Sequence, residues 1–323
     1  MSPRVPPNFF AIAFGLAGLA EAWEAAVPVL RTPQAVPRAL DILAAVVWLT
    51  MIALYLAQGP RVIRGDLRHP VLSPFVSVAP ITGMLLAAAL APVAFTAARV
   101  LVVVFLAVTI VLGGWLTGQW MTGDIDPGAI HPGYFLPTVA GGLVGADCAA
   151  LVHLRGLAEA SFGIGVICWL LLGSAILNRL FTRPALPAPL APTMAIETAP
   201  PAVAGLAWFA LAGPGALNGA GRPVSMIAYL LGGYAVLMVL AQARLSLVYA
   251  RLSFTPGFWA FTFSYAAIAA DALAWLARTR PPGETAYAID VITLLSVFIG
   301  WIAVRTILLA ARGRLFPPKE VTP

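Results

Sequence analysis

Four carboxylates stand where water is expected to be absent. Glu21, Glu24, Asp147 and Asp271 lie inside long apolar stretches of the chain. On insertion scales an acid at the centre of a lipid bilayer costs about 2.5–3.5 kcal/mol, so each must face inward, find a partner or carry a proton. Two readings are open. Either the acids pair with nearby arginines such as Arg155 or Arg278, or they line an outer vestibule that binds protons or cations. The remaining candidates for chemistry are few. His69, His131 and His153 sit at the ends of apolar stretches, with no HExxH, no histidine pair at helical spacing and no Ser/His/Asp order. Cys148 and Cys168 lie within apolar segments without the spacing of metal or redox ligands. No catalytic residue, metal or cofactor is expected.

A second group of residues shapes backbone. Gly15 and Gly18 fall in the first apolar stretch, Pro80 in the third, and Pro137, Gly141, Gly142 and Gly145 in the fifth. Breakers at membrane depth are tolerated where protein or a water-filled cavity satisfies the freed backbone groups. Small residues also let helices pack closely. For these positions pore lining, kinking and packing all remain open.

The elements that must position these residues follow from composition. Of 323 residues 61% are hydrophobic and 10% charged, whereas a soluble domain carries about 25% charge. The net charge of +6 comes from arginines scattered singly between apolar runs, not from a basic patch, which excludes a nucleic-acid partner. A bilayer core of about 30 Å needs about 20 helical residues. That length gives ten transmembrane helices near 8–30, 37–57, 73–91, 96–118, 134–154, 158–180, 195–213, 224–248, 256–278 and 286–310. The first, with Glu21 and Glu24 inside it, reads as a retained span and not a signal peptide. The loops are short, so the whole chain, 1–323, reads as a single transmembrane domain of an all-α integral membrane protein.

The odd-numbered spans begin near 8, 73, 134, 195 and 256, in steps of 65, 61, 61 and 61 residues. Three begin alike, as Pro7-Asn8-Phe9-Phe10, Pro132-Gly133-Tyr134-Phe135 and Pro256-Gly257-Phe258-Trp259. Proline suits a first helical turn, and aromatics suit the membrane interface. The even spacing predicts five repeated helical hairpins. With the N-terminus inside, the inner loops carry eleven basic residues (Arg4, Arg61, Arg64, Arg68, Arg179, Arg183, Arg244, Arg251, Arg312, Arg314 and Lys319) against seven outside. That bias puts both termini in the cytoplasm of a multi-pass inner-membrane protein. Arg305, in the last span, reads as a side chain that snorkels toward the cytoplasm.

Four motifs in order along the chain resemble the tellurite-resistance/dicarboxylate transporter family, which takes in TehA-like bacterial channels, fungal malate permeases and plant slow anion channels. They are Phe9-Phe10-Ala11-Ile12-Ala13-Phe14-Gly15-Leu16-Ala17-Gly18-Leu19, the run from Ser73-Pro74 through Ala79-Pro80-Ile81-Thr82, His131-Pro132-Gly133-Tyr134-Phe135-Leu136-Pro137-Thr138-Val139-Ala140, and Trp259-Ala260-Phe261-Thr262-Phe263. The seventh span shows no comparable match. The resemblance implies a quasi-fivefold ring of hairpins around a central pore, odd helices inside, assembled as a homotrimer in the bilayer. It implies Phe263 as an aromatic gate, and small inorganic or organic anions, C4-dicarboxylates such as malate included, as the cargo. Read without the resemblance, Phe263 is equally a packing residue. Two departures stand out: Ser264 follows Phe263 where the family has Gly or Pro, and unpaired outer acids would repel an anion unless protonated. Protonated acids would couple organic-acid entry to protons. An integral-membrane enzyme acting on lipid-borne substrates is the alternative of a different class; it needs titratable groups converging near one interface.

Overall fold

A computed structural model of the chain describes residues 4–123, 125–213, 217 and 222–316, with only the backbone for 222–224. Lys319, counted above among the inner cations, lies outside the described residues. The described chain is helical, with no strand among the described residues. Its helices are α1 (Phe10–Leu30), α2 (Ala35–Leu56), α3 (Pro60–Arg68), α4 (Ser73–Val76), α5 (Val78–Ala89), α6 (Phe95–Thr122), α7 (Gly141–Leu151), α8 (Arg155–Thr182), α9 (Ala199–Ala212), α10 (Arg222–Tyr249), α11 (Ala260–Thr279) and α12 (Glu284–Ala311).

Among the described residues nine helices are long and apolar enough to cross a membrane, and Ser73–Ala89 is a shorter apolar helix. That segment is interrupted at Ser77 between α4 and α5, and its Ser77 hydroxyl donates to the Pro74 carbonyl at 2.6 Å. Helix rises about 1.5 Å per residue, so a continuous Ser73–Ala89 reaches less than the hydrocarbon thickness. By contrast α6, α8, α10 and α12 each have 28 residues, enough to extend into the headgroup region or tilt.

Two populations of helix result. In the most apolar window of the α1 segment 72% of residues are buried, against 11% in α2. The segments containing α7, α9 and α11 follow the first pattern, while α6, α8, α10 and α12 follow the second. The second set exposes large apolar side chains such as Val111, Trp115, Leu171, Leu240 and Leu294. In lipid that face carries no hydrophobic penalty, and it explains a composition that water could not tolerate. Each buried helix packs on the exposed helix that follows it: α1 on α2, α5 on α6, α7 on α8, α9 on α10 and α11 on α12. The buried helices also pack on one another, α1 on α11 and α5, α7 on α5 and α9, and α9 on α11.

The buried segments share a way of starting. Tight 3₁₀ turns at Pro7–Phe9, Pro132–Phe135, Ala191–Thr198 and Pro256–Trp259 precede them, each with proline in its first turn, where its missing N–H has no helical partner to lose. In the fifth apolar stretch a π turn, Leu136–Ala140, sits between the 3₁₀ turn and α7. Pro137 lies in that π turn, and a π turn inside a helix is a recurrent device at functional sites.

On the side of the chain ends, Phe9 and Phe316 stack with ring centroids 5.6 Å apart, so both ends of the described chain lie on one side. There Asp66, fully buried on the short helix α3, takes Arg4 at 2.8 Å and the Tyr55 hydroxyl at 3.1 Å, and Val5 exchanges two hydrogen bonds with the Gln58 side chain. Arg305 lays its guanidinium over the Phe254 and Trp301 rings.

Glycine sets the closest approach of α7 and α8. A Cβ on Gly142 would lie 2.6 Å from the Gly165 backbone nitrogen, a contact that only a backbone shift relieves. Gly142→Ala is therefore expected to lower the thermal unfolding midpoint in detergent by an overpacking penalty of about 1–3 kcal/mol. Gly163→Ala, on the same α8 but with nothing within 4 Å of the added carbon, should leave the midpoint unchanged or raised. Equal effects of the two substitutions would contradict this account of the packing.

Candidate functional site

The N-terminal halves of all five buried segments converge on one cavity. Its lining includes Ala11 and Phe14 of α1, Phe75 and Val78, Leu136, Val139 and Leu143, Ile196, Ala199 and Val203, and Trp259, Ala260, Phe263 and Ser264. Because the same half of every segment contributes, the five run parallel. The cavity holds about 40 Å³, room for a few waters at most. Apart from Ser264 and the indole of Trp259, its named walls are apolar, and the Ser264 hydroxyl is turned to the Ala260 carbonyl at 3.2 Å.

Phe263 lines this space together with Phe14. Its ring stacks on Phe14, with centroids 3.6 Å apart and planes inclined by 12°. Both rings are buried. Such a near face-to-face sandwich is tighter than the offset arrangement ring quadrupoles favour, so the surroundings must hold the pair. They do so through glycine: a Cβ on Gly18 would strike the Phe263 ring at 2.9 Å, and one on Gly15 would overlap the Thr262 side chain. Gly15 and Gly18 thus let α1 and α11 approach until the rings stack.

Other breakers sit elsewhere. Gly141, Gly142 and Gly145 turn their hydrogens toward Thr109 of α6, Gly165 of α8, and Leu106 of α6 with Ser161 of α8, respectively. They face the outer helices, not the central cavity. Pro137 lines a second space between α6, α7 and α8, and its carbonyl approaches Gly113. Pro80 is buried in α5, three residues after the Ser77 break.

Past Phe14, toward the ends of α1 and α7 away from the chain ends, lies a distal cavity of about 440 Å³. Ala17 and Ala20, and then Glu21 and Glu24, line it from α1; Arg38 and Asp41 from α2; Leu85 and Ala88 from α5; Asp147 and Cys148 from α7. Three of the four intramembrane acids expected from sequence therefore share one space. The fourth does not. Asp271 is pressed against Gly205 of α9, where a Cβ would lie 2.5 Å from its Oδ1, and that oxygen is buried with no hydrogen-bond partner among the described residues. Its other surroundings are a groove between α10, α11 and α12.

Among the described residues neither candidate cation comes within ion-pair distance of an intramembrane acid. Arg155 bonds Glu159 at 2.8 Å. Arg278 donates to the Ala274 carbonyl and lies 4.1 Å from the Phe209 ring centroid. Among the described residues the ion pairs are Arg4–Asp66, Arg155–Glu159 and Arg280–Glu284, and no group of three or more His, Cys, Asp and Glu side chains could hold a metal ion.

Sequence reasoning missed Phe14, the second ring of the stack, and Asp41 in the distal cavity. It also passed over Glu197, buried at the start of the seventh apolar stretch with Oε1 unpartnered among the described residues. The signal for Glu197 and Asp41 was the one used for Asp271, a lone acid in an apolar run. Nothing in the sequence marked Phe14 among sixteen phenylalanines.

The histidines are structural. His69 Nδ1 accepts from the Val71 and Leu72 amides. His153 has left-handed backbone in the turn between α7 and α8. His131, fully buried, accepts from the Gly133 amide at Nδ1 and meets the Val71 carbonyl with Nε2 at 3.2 Å. This clamp holds the turn that delivers Phe135 and Leu136 to the central cavity. Burial pushes the His131 imidazole down to about 4, with the Arg179 charge adding to the effect. The neutral form is the folded form. An unfolded histidine takes a proton near 6.5, so this contribution to stability is complete above pH 6.5 and is lost as pH falls toward 4. The unfolding midpoint should decline across that window, and His131→Gln should flatten the decline while lowering the plateau. A wild-type midpoint independent of pH from 7 to 4 would contradict the clamp.

The profile of a family described as SLAC1, voltage-dependent anion channel, matches residues 4–312. The chain is also 27% identical over 316 residues to a protein of Haemophilus influenzae (strain ATCC 51907 / DSM 11121 / KW20 / Rd) named Tellurite resistance protein TehA homolog, covering 97% of this chain and 93% of that protein.

Proposed function

The chain belongs to the SLAC1 family of voltage-dependent anion channels, and from that membership and the Phe14–Phe263 stack we propose that it is a channel or carrier for small inorganic or organic anions whose pore is gated by Phe263. Family members are membrane anion channels or transporters, not enzymes. The finer reading has C4-dicarboxylates such as malate among the cargo, ten spans with Ser73–Ala89 as the third, and one transmembrane domain. It has a quasi-fivefold ring of hairpins around the pore, homotrimeric assembly, and both termini cytoplasmic in the inner membrane. The cyclic packing order α1, α5, α7, α9, α11 and back to α1 supports the ring. Phe9 stacking on Phe316 supports an even number of crossings, and the arginine bias supports the sidedness.

The stacked pair is the observation that carries the gate. It stands between the central cavity and the alanine-lined approach to the distal one. An apolar constriction this narrow stops ions by sterics and by excluding water. Displacing one ring would join the two spaces. In reconstituted liposomes, Phe263→Ala and Phe14→Ala are each expected to raise nitrate, chloride or malate flux severalfold over wild type. Background flux for all three anions in wild type and both variants would sink the transport reading.

The gathering of Glu21, Glu24 and Asp147 at one cavity favours a second reading, proton-coupled carriage of dicarboxylates. The groups facing Asp147 there are Glu21 and Glu24 on α1, Arg38 and Asp41 on α2, and its neighbour Cys148; α5 contributes only apolar side chains. Proton coupling requires that malate uptake lose its pH dependence in Asp147→Asn. Asp271, outside this cavity, serves as the comparison, and an unchanged profile in Asp147→Asn removes the coupling.

A further inference from the structure

We infer that the distal cavity is a binding site for a linear organic diammonium ion. The inference rests on the cavity and not on anion transport, so an absence of flux would leave it standing.

Asp147 points to a ligand. Only 9% of the residue is exposed, it lines the cavity, and among the described residues it has no hydrogen-bond or ion-pair partner. Glu21 lies beside it, and Glu24 and Asp41 line the same space nearer the mouth. One guanidinium, Arg38, faces these four carboxylates, and it makes no ion pair among the described residues. The cavity is built for positive charge that the described chain does not itself supply.

The form of that charge follows from the walls. An inner-sphere divalent cation needs about six converging oxygens, and the described residues offer no such group. A proton needs no room, yet about 440 Å³ is present, within the range of small-molecule sites. The walls beside these acids are apolar, with Ala17 and Ala20 on the inner side of Glu21 and Leu85 and Ala88 on α5, a surface for methylene groups. Glu21 and Glu24 are about 4.5 Å apart along the helix axis, so two ammonium ends on a short alkyl spacer meet acids at both depths.

The test is direct binding to the detergent-purified full chain, by calorimetry and thermal stabilisation, using α,ω-diamines of two to eight carbons. Saturable binding with an optimum chain length is expected. Butylamine, with one ammonium, should bind roughly tenfold or more weaker than 1,4-diaminobutane for want of one charge-assisted contact. Asp147→Asn should abolish the effect. Ala89, an exposed residue of the cavity lining, offers a second variant: Ala89→Trp fills part of the space and keeps every carboxylate, so it should weaken binding even if Asp147→Asn fails to fold. Three results would overturn the site: no saturable binding of any diamine, equal stabilisation by sodium or magnesium at matched charge, or full affinity in Ala89→Trp together with Glu21→Gln.

Discussion

The contact between α1 and α11 is the constraint on which the rest depends. Thr262 and Phe263 occupy the space that side chains at positions 15 and 18 would fill. Without those two glycines the helices would separate by the width of a methyl group or more, and Phe14 could not lie flat on Phe263. The same approach keeps the central cavity small. Everything proposed about gating is a consequence of how near two helices come.

That approach is held from outside as well. Trp259 donates from its indole to Thr306 of α12 at 2.9 Å, and Trp23 of α1 donates to Ser296 of the same helix at 3.1 Å. Both inner helices are thereby pinned to one outer helix. Buried polar groups that meet specific partners fix register in a way apolar packing alone does not. In the proposed gate, a backbone pinned in this way favours rotation of the Phe263 side chain over helix displacement as the opening motion.

Much of this was legible from sequence, for a physical reason. Lipid imposes a length and a polarity on every crossing, so span ends near Pro7, Ala35, Phe95 and Glu284 follow from composition within a few residues. The prolines at 7, 132 and 256 marked where buried segments begin because their missing amides fit only there. What stayed hidden is set by rotation about helix axes. Gly15 and Gly141 look alike in sequence, yet one faces α11 and the other α6. Asp147 and Asp271 look alike too, and they open on different spaces. Helix α3, with its buried Asp66, was invisible because an amphipathic segment of nine residues resembles a basic loop.

The central claim is that a pair of rings separates the central cavity from the distal one. Side-specific thiol labelling addresses it most directly, in a protein with Cys148 and Cys168 replaced and Ser264→Cys introduced beneath the stack. The account predicts that a small charged thiol reagent reaches Cys at 264 from the side of the chain termini alone, and from both sides once Phe263→Ala is added. Equal labelling from both sides with Phe263 in place would contradict it.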